Sequence, residues 1–325
     1  MKKFIPILFL LLSLSLWGQE IKPKGFLEPA DTFNAKRFWI ASGTGAAMYT
    51  GLSITLWKAW YKDYPLTSFH TFNDMGEWEN MDKYGHFFSA YGECNWFYGG
   101  AKWTGLTKRQ SIWVAAGIGT LIQGTIEVMD GFSEKWGFSV ADIAFNTGGV
   151  GLFAGQELLW GEQRIMLKMS NSRKHYPRGK IISSDGHNET SLFQRADDLY
   201  GSSFAEQFLK DYNAQTLWMS FNISSFVRKE TFIPKWLNLA IGYGAENMFG
   251  GYTNEWTDNG AKFDVSTRFP RYRQYYLSFD IDFTRIPTKN RTLKAFFRML
   301  NIIKFPSPTL ELNAHRGLKF YPLYF

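Results

Sequence analysis

Cysteine is almost absent from this 325-residue sequence, and Cys94 is the single example. One cysteine excludes an intramolecular disulfide, a CxxC redox pair and a cysteine-based zinc site. No cysteine follows the apolar N-terminal segment, so the sequence does not support lipid attachment of the bacterial lipoprotein type. Walker, GxSxG, HExxH and dinucleotide-binding motifs are also missing, so none of these well-marked nucleotide or hydrolase sites is indicated.

Aromatic residues, in contrast, are abundant. Thirty Phe, sixteen Tyr and thirteen Trp make up 18% of the chain. Their rings are amphipathic and favour the interfaces of a bilayer. The mean hydropathy of −0.24 is low for an ordinary polytopic membrane protein. The composition therefore predicts a membrane-associated protein with membrane lipids as partners.

The net charge of +7 comes from basic residues scattered through segments such as 172–180 and 289–304. We expect no nucleic acid partner, because an exported protein rarely meets one. Two interpretations remain for the basic residues. They contact anionic lipid headgroups or phosphorylated glycans, at about 1 kcal/mol per well-placed Lys or Arg, or they form a solvated surface.

The N-terminal residues predict export. Lys2 and Lys3 precede an apolar run over 5–17, and a small residue, Gly18, follows it. This pattern is typical of a secretory signal peptide over 1–18. An uncleaved anchor is the alternative, because Leu16 fits the position before the cleavage site poorly.

Four apolar segments predict a helical bundle over 30–169. They are 38–57, 85–102, 110–126 and 139–160. Each carries closely spaced small residues, which allow helices to pack closely in lipid. Their lengths are marginal for crossing a bilayer, so a bundle only partly immersed in lipid stays open.

The hydrophobic period changes to two after a polar linker over 170–190. Strands are predicted over 217–224, 237–243 and 276–284, with weaker ones over 263–267 and 310–314 and one short amphipathic helix over 292–303. We therefore predict a C-terminal antiparallel β part over 191–325. The aromatic final segment ending at Phe325 resembles the C-terminal signature of bacterial outer-membrane barrel proteins, which favours the outer membrane over the inner one. The predicted class is α+β and membrane-associated.

Polar residues in the apolar helices form three pairs at helical spacing. They are Asp82 with His86, Glu127 with Asp130, and Asp142 with Asn146. Residues three or four apart share one helix face, and a polar group buried without a partner costs about 2–7 kcal/mol. Antiparallel helices with short connections would bring all three pairs to one end of the bundle.

This set of residues suits two kinds of chemistry. The candidate catalytic residues are Asp82, His86, Glu127, Asp130 and Asp142. Imidazole and carboxylate groups bind divalent metals, in which case His86, Glu127 and Asp142 are the expected ligands. The same groups suit general acid–base catalysis. Lys83 and Asn146 are the candidate substrate contacts, with Lys83 placed to bind a phosphate near the helix N-terminus.

Structural interpretations stand beside the functional ones. Asp82 would N-cap its helix, and Ser139 with Asp142 would form a capping box. Asn146 would hydrogen-bond a neighbouring helix. The remaining histidines lie in predicted loops or strands and are expected at the surface.

The same residues carry a family resemblance over about 72–155. The motifs are Asp82–Lys83–Tyr84–Gly85–His86, Glu127 with Asp130–Gly131, and Gly137–Phe138–Ser139 followed by Asp142, Asn146 and Gly149. They resemble the YfiM-type predicted periplasmic lipoproteins, a domain of unknown function, and more distantly the VanZ-like membrane proteins. The resemblance implies a helical membrane-associated domain. For VanZ-like proteins it implies a link to glycopeptide resistance without an established reaction.

Three functions remain open from the sequence. An envelope enzyme would act on a lipid or a lipid-linked glycan by metal-assisted or acid–base hydrolysis or transfer. A structural or assembly protein of the outer membrane would use the same polar cluster to fix helix packing. A lipid-binding pore would need a continuous cavity lined by these side chains.

Overall fold

The structure is a computed structural model that describes residues 25–62, 64–227 and 232–325. The predicted signal peptide over 1–18 lies outside the described residues. An N-terminal helical part is followed by a C-terminal antiparallel sheet, which confirms the α+β class.

Four long helices form the N-terminal part, and each contains most of one predicted apolar segment. They are α1 (Ala35–Leu56), α2 (Met81–Trp103), α3 (Lys108–Gly131) and α4 (Val140–Leu159). A π-helical turn, Trp57–Tyr61, extends α1. The short connections place the start of α2, the end of α3 and the start of α4 together.

Helix α2 begins four residues before the predicted position 85. A 3-10 turn, Glu77–Asn80, leads into it, with Glu79 and Asn80 in the left-handed region at φ 55° and 64°. Asn80 is the N-cap and Asp82 lies in the first turn. The interpretation of Asp82 as an N-cap was therefore wrong. The predicted start of α2 was too late because the charged residues of its first turn pair with residues that are distant in the sequence.

Helices α2, α3 and α4 pack around a shared core that includes Tyr91, Cys94, Ile112 and Phe153. A close approach of α4 to α2 depends on Gly149. A Cβ atom added there would lie 2.3 Å from the backbone oxygen of Phe87. This packing fixes the helix ends that carry the polar pairs.

The C-terminal part is a six-stranded antiparallel sheet. Its strands, in their order across the sheet, are β1 (Ile165–Asn171), β4 (Gln215–Asn222), β5 (Leu237–Glu246), β8 (Tyr272–Ile281), β9 (Ser307–Asn313) and β10 (Gly317–Tyr324). The sequence did not predict β1, which pairs with β4 across the proposed boundary at 169.

Smaller elements connect these strands. Two hairpins are formed by β2 (Lys180–Ile182) with β3 (Glu189–Ser191) and by β6 (Glu255–Asp258) with β7 (Ala261–Asp264). The short helices are α5 (Leu192–Tyr200), α6 (Phe204–Lys210), α7 (Ile223–Phe226) and α8 (Arg291–Leu300), with a 3-10 turn at Phe283–Arg285. Helices α5 and α6 were not predicted, and they line part of the cavity described below.

The sheet curls so that its last strand approaches its first two. The Tyr324 ring lies 6.1 Å from that of Trp218 on β4, and its hydroxyl lies 3.1 Å from Thr216 Oγ1. Ser172 Oγ also donates a hydrogen bond to the backbone oxygen of Phe325. One face of the sheet is thereby enclosed.

Among the described residues, one helix is long and apolar enough to cross a membrane. It is α3, and 39% of its apolar window is buried inside the protein. A membrane-embedded bundle of four apolar helices is therefore not confirmed, although the four helices themselves are present.

Candidate functional site

A buried lysine lies at the centre of the polar cluster. Lys83, in the first turn of α2, has a fully buried side chain. Its Nζ lies 2.6 Å from Asp74 Oδ2, 3.0 Å from Asp82 Oδ2 and 2.8 Å from Asp142 Oδ1. An ammonium group has three donors. Three carboxylates therefore satisfy Lys83, and binding a substrate phosphate would require it to release one of them.

His86 follows one turn later on the same face of α2. Its Nε2 lies 3.9 Å from Asp82 Oδ1 and 3.8 Å from Asp142 Oδ1. One ligand atom from each of these three residues can be chosen so that all lie within 4.8 Å of one another. The start of α2 and the start of α4 thus supply one group of potential metal ligands.

The other ring nitrogen of His86 faces α3 and α4. His86 Nδ1 lies 3.1 Å from Asn146 Oδ1, 3.3 Å from Gln123 Oε1 and 3.5 Å from Glu127 Oε1. Glu127 Oε1 and Asn146 Nδ2 are buried and have no hydrogen-bond partner among the described residues. The side of the cluster that faces α3 is therefore incompletely satisfied.

Ser139, the N-cap of α4, connects two carboxylates of the cluster. Its Oγ accepts a hydrogen bond from the Asp142 backbone N–H at 3.1 Å and donates one to Asp74 Oδ1 at 2.6 Å. Its own N–H donates to Glu127 Oε2 at 3.3 Å. The predicted capping box is only half formed, because the Asp142 carboxylate binds Lys83. Capping alone therefore explains Ser139 but not Asp142.

Two tyrosines hold the outer members of the cluster. Tyr61 donates a hydrogen bond to Asp130 Oδ1 at 2.6 Å. Tyr212, just before β4, donates one to Asp82 Oδ1 at 2.8 Å. The C-terminal part thus contributes a side chain to a cluster that the helices otherwise form.

The carboxylates of the cluster favour the protonated forms of His86 and Lys83. Burial lowers the pKa of His86, but Asp82, Asp142 and Glu127 outweigh it and raise that pKa to about 9. Burial likewise lowers the pKa of Lys83, and its neighbouring carboxylates raise it above its ordinary value. At neutral pH His86 is therefore an imidazolium and a proton donor.

The carboxylates divide into two groups. Burial raises the pKa of Asp82, but His86 and Lys83 outweigh it and hold that pKa below its ordinary value. Burial raises the pKa of Asp142 to about 6, against the opposing effect of His86. Burial also raises the pKa of Glu77 and of Glu93 to about 7 each. The cluster therefore has more acidic groups than its two bases neutralise, and part of this excess takes up protons near neutral pH.

A cavity of about 690 Å³ opens beside the cluster. Its polar wall includes Asp74, Asp82, His86, Asp130 and Asp142, and its apolar wall includes Leu52, Leu56, Phe72, Phe88, Ile122 and Ile126. Four lysines, Lys58, Lys62, Lys135 and Lys210, also line it. A ligand with an apolar portion and an anionic group would find both complements there.

The structure brings together most of the predicted residues. Asp82, Lys83, His86, Glu127, Asp142 and Asn146 contact one another, and Asp130 lines the same cavity. Sequence reasoning missed Asp74, Glu77, Glu93, Gln123, Tyr61 and Tyr212. Glu93 had a signal, since it is a charge within a helix predicted to be apolar. Tyr212 had none, because it lies 130 residues from Asp82 in the chain.

The fold and the cluster define an α+β protein whose helical part carries a buried, acid-rich site beside a cavity. Residues 71–155, about a quarter of the chain, match the family described as "Predicted periplasmic lipoprotein (DUF2279)". No curated protein and no solved structure matches the chain. The family match supports an exported cell-envelope protein of unknown function.

The matched segment contains the motifs on which the resemblance rested. It runs from before Asp74 through α2, α3 and most of α4, and so includes every helical member of the cluster. The match supports the family of unknown function. The description names a lipoprotein, whereas the only cysteine of this sequence, Cys94, is buried inside α2.

Proposed function

We propose that this envelope protein hydrolyses or transfers a group on a lipid or a phosphorylated lipid-linked glycan. The observation that carries the proposal is the convergence of Asp82, His86 and Asp142 beside a cavity with apolar walls. Strongly shifted pKa values in a cleft are typical of catalytic sites. The resemblance to VanZ-like membrane proteins and the aromatic C-terminus favour a membrane setting, with the outer membrane as the proposed location.

The donor set fits a divalent cation. Asp82, His86 and Asp142 would hold it through two carboxylates and one imidazole. Glu127 would approach through Oε1, which has no hydrogen-bond partner among the described residues. Bound there, such an ion would act as a Lewis acid and lower the pKa of a water molecule. Lys83 shares Asp82 and Asp142, so it weakens the site for a cation. His86 must also lose its proton before it can coordinate.

An acid–base reaction uses the same residues without a metal. In this route a water molecule gives a proton to the Asp142 carboxylate, and its oxygen forms a bond to the carbonyl carbon or phosphorus of the substrate. The bond to the leaving group breaks, and the leaving oxygen takes the proton of His86. The raised pKa of His86 supports its role as the acid, and that of Asp142, near 6, supports a base.

The lining of the cavity suggests the substrate class. Acyl or polyprenyl chains would contact residues such as Leu52, Leu56 and Ile122. Lys58 and Lys62, on the same cavity wall, would contact a phosphate. This assigns to these lysines the phosphate contact that the sequence had suggested for Lys83.

Calorimetry on the full-length chain, purified in detergent, tests the metal route. Zinc and manganese ions are titrated into the wild-type protein and into His86→Gln, Asp142→Asn and the matched control His187→Gln, whose histidine is exposed in a loop. We expect one ion per chain for the wild type and the control. Affinity should fall at least about tenfold for the two site variants, since even supporting residues of a metal site change affinity 10–100-fold.

A product assay tests the reaction itself. Vesicles of phosphatidylglycerol, with and without a polyprenyl pyrophosphate, are incubated with each protein, and released phosphate and fatty acid are measured by mass spectrometry. Products from the wild type and His187→Gln but not from His86→Gln support catalysis. Products in the absence of any bound metal select the acid–base route. Failure of both assays with correctly folded protein overturns the proposal.

The structural alternative rests on the connections of Lys83. It joins the loop before α2, α2 itself and α4 through three carboxylates. If His86→Gln and Asp142→Asn lower abundance and thermal stability in detergent, and the wild type binds no metal and forms no product, the cluster fixes helix packing.

A further inference from the structure

The outer face of the sheet, defined as the side opposite the enclosed one, is apolar and exposed. The register places Ile241, Leu277, Leu310 and Phe320 in one row across β5, β8, β9 and β10. Its exposed members are Leu239, Ile241, Tyr275, Leu277, Phe279, Leu310, Leu312, Leu318, Phe320 and Leu323, with 39% to 71% of each residue accessible. Single exposed apolar residues are normal on a protein surface, but these ten lie on four neighbouring strands and form one contiguous patch.

The enclosed face of the same strands is mostly polar, around a small cluster of Ala240, Tyr276 and Tyr324. Ser278, Asp280, Thr309 and Glu311 are each at most 3% exposed. A sheet in water buries its apolar face and hydrates its polar one. On β5, β8, β9 and β10 this sheet does the reverse, as do strands whose outward side faces lipid. On β1 and β4 the same side packs against the helices.

Helix α8 lies between β8 and β9 in the chain and also exposes apolar residues. Leu293, Phe296 and Met299 are spaced three residues apart and are 39%, 52% and 72% exposed. Lys294 and Arg298 lie on another side of the helix. No acidic residue occurs between positions 282 and 311. A basic amphipathic helix with an exposed apolar side is typical of a segment at an anionic membrane interface.

We propose that the hydrocarbon chains of a lipid membrane cover the outer face, and that α8 lies at the level of the headgroups. The inverted sheet requires an apolar covering, and the cationic side of α8 is complementary to anionic lipid. This inference does not depend on the proposed reaction, since none of its residues lines the cavity.

Site-directed spin labelling of the full-length chain tests the proposal. Single cysteines replace Leu277, Leu310, Phe320 or Phe296, one at a time, in a Cys94→Ala background. Matched controls are Lys180→Cys and Asn259→Cys, which lie exposed in the two small hairpins. Each labelled protein is reconstituted in vesicles of phosphatidylcholine and phosphatidylglycerol, and collisions with oxygen and with a water-soluble nickel chelate are measured.

Labels on the outer face should collide several-fold more often with oxygen than with the nickel chelate, and control labels should show the opposite ratio. If the ratio of oxygen collisions to nickel-chelate collisions is the same at the outer-face positions as at the controls, this face lies in water and the proposal is overturned. Low collision rates for both reagents, together with a dimeric mass, would assign the face to a second copy of the chain. Several positions are used so that one misfolded variant does not decide the result. Loss of catalysis in the product assay leaves this readout unchanged.

Discussion

Two buried lysines, Lys83 in the helical part and Lys168 in the sheet, have opposite surroundings. Both side chains are fully buried. Lys83 meets three carboxylates beside a cavity. Lys168 meets one, with its Nζ 2.8 Å from Asp280 Oδ2, and donates a second hydrogen bond to the Ile281 backbone oxygen at 2.6 Å.

The sheet cluster around Lys168 is closed and well satisfied. Asp280 also accepts hydrogen bonds from Ser220 Oγ at 2.7 Å and from the Phe305 N–H at 2.9 Å. A second buried lysine, Lys304, donates to the Phe305 backbone oxygen at 2.7 Å. Two buried lysines share one carboxylate in this network, and burial lowers the pKa of both lysines. Each of these charged groups still has a hydrogen-bond partner among the described residues, and the network has no excess of acid, which is typical of a structural element.

The helical cluster differs in three respects. It contains more carboxylates than bases, it keeps buried atoms such as Glu127 Oε1 without a hydrogen-bond partner among the described residues, and it opens on a cavity. Buried charges are normally paired because an unpaired one is costly. We therefore propose that this acid-rich cluster beside a cavity takes up a cation or a proton from outside. The comparison supports assigning function to the helical cluster and structure to the sheet cluster.

The largest expected effect is in the sheet. Asp280→Ala should lower the free energy of unfolding by about 3–5 kcal/mol, because it leaves the buried Lys168 without its counter-charge. Urea unfolding in detergent measures the change. The matched control Asp258→Ala, at an exposed hairpin position, should stay within about 0.5 kcal/mol. A loss below 1 kcal/mol for Asp280→Ala would contradict the structural role.

A smaller effect is expected from Lys83→Met. It should cost about 1.5–3 kcal/mol, the range for hydrogen bonds to charged groups. The cost is smaller than in the sheet because the three carboxylates face a cavity and can take up protons or water. The same unfolding measurement applies, with Lys168→Met as the matched variant. An equal or larger loss for Lys83→Met would remove the distinction between the two clusters.

A bound metal ion should stabilise the protein only by binding to the helical cluster. Zinc at ten times its dissociation constant should add about 1.4 kcal/mol to the unfolding free energy, following RT ln(1 + [L]/Kd), and EDTA should remove the gain. Asp142→Asn, with affinity at least about tenfold weaker, should cut the gain to about 0.4 kcal/mol or less, whereas Lys304→Met should retain it. Equal stabilisation of the wild type and Asp142→Asn would place the ion elsewhere.

The smallest expected change in stability is that of His86→Gln. A glutamine amide can replace the hydrogen bond to Asn146 Oδ1, so the loss should stay below about 1 kcal/mol while metal binding or product formation disappears. Thermal unfolding beside calorimetry measures both. A large loss of stability with unchanged metal binding would reverse the roles assigned to the two clusters.

Much of the helical part could be predicted from the sequence. The apolar segments predicted four helices. Pairs such as Asp82 with His86 predicted which helix faces meet in the polar cluster. Strand β1 was missed because Lys168 interrupts its apolar pattern, and only the pairing with Asp280 makes a buried lysine acceptable there. Tyr212 and Asp74 were missed because loops deliver them, and loop residues carry no periodic signal.

The sequence by itself determined the four long helices and alternating strands such as β4, β5 and β8, since hydrophobic periods of 3.6 and two are local properties. Only the tertiary structure decided which face of the sheet is inside. An alternating strand such as Tyr272–Ile281 reads the same whichever face is buried. The curl that brings Tyr324 onto Trp218 encloses the polar side, and it leaves Leu277 and its neighbours outside. The same folding gathers acids from two helices and a loop around Lys83, which no local pattern specifies.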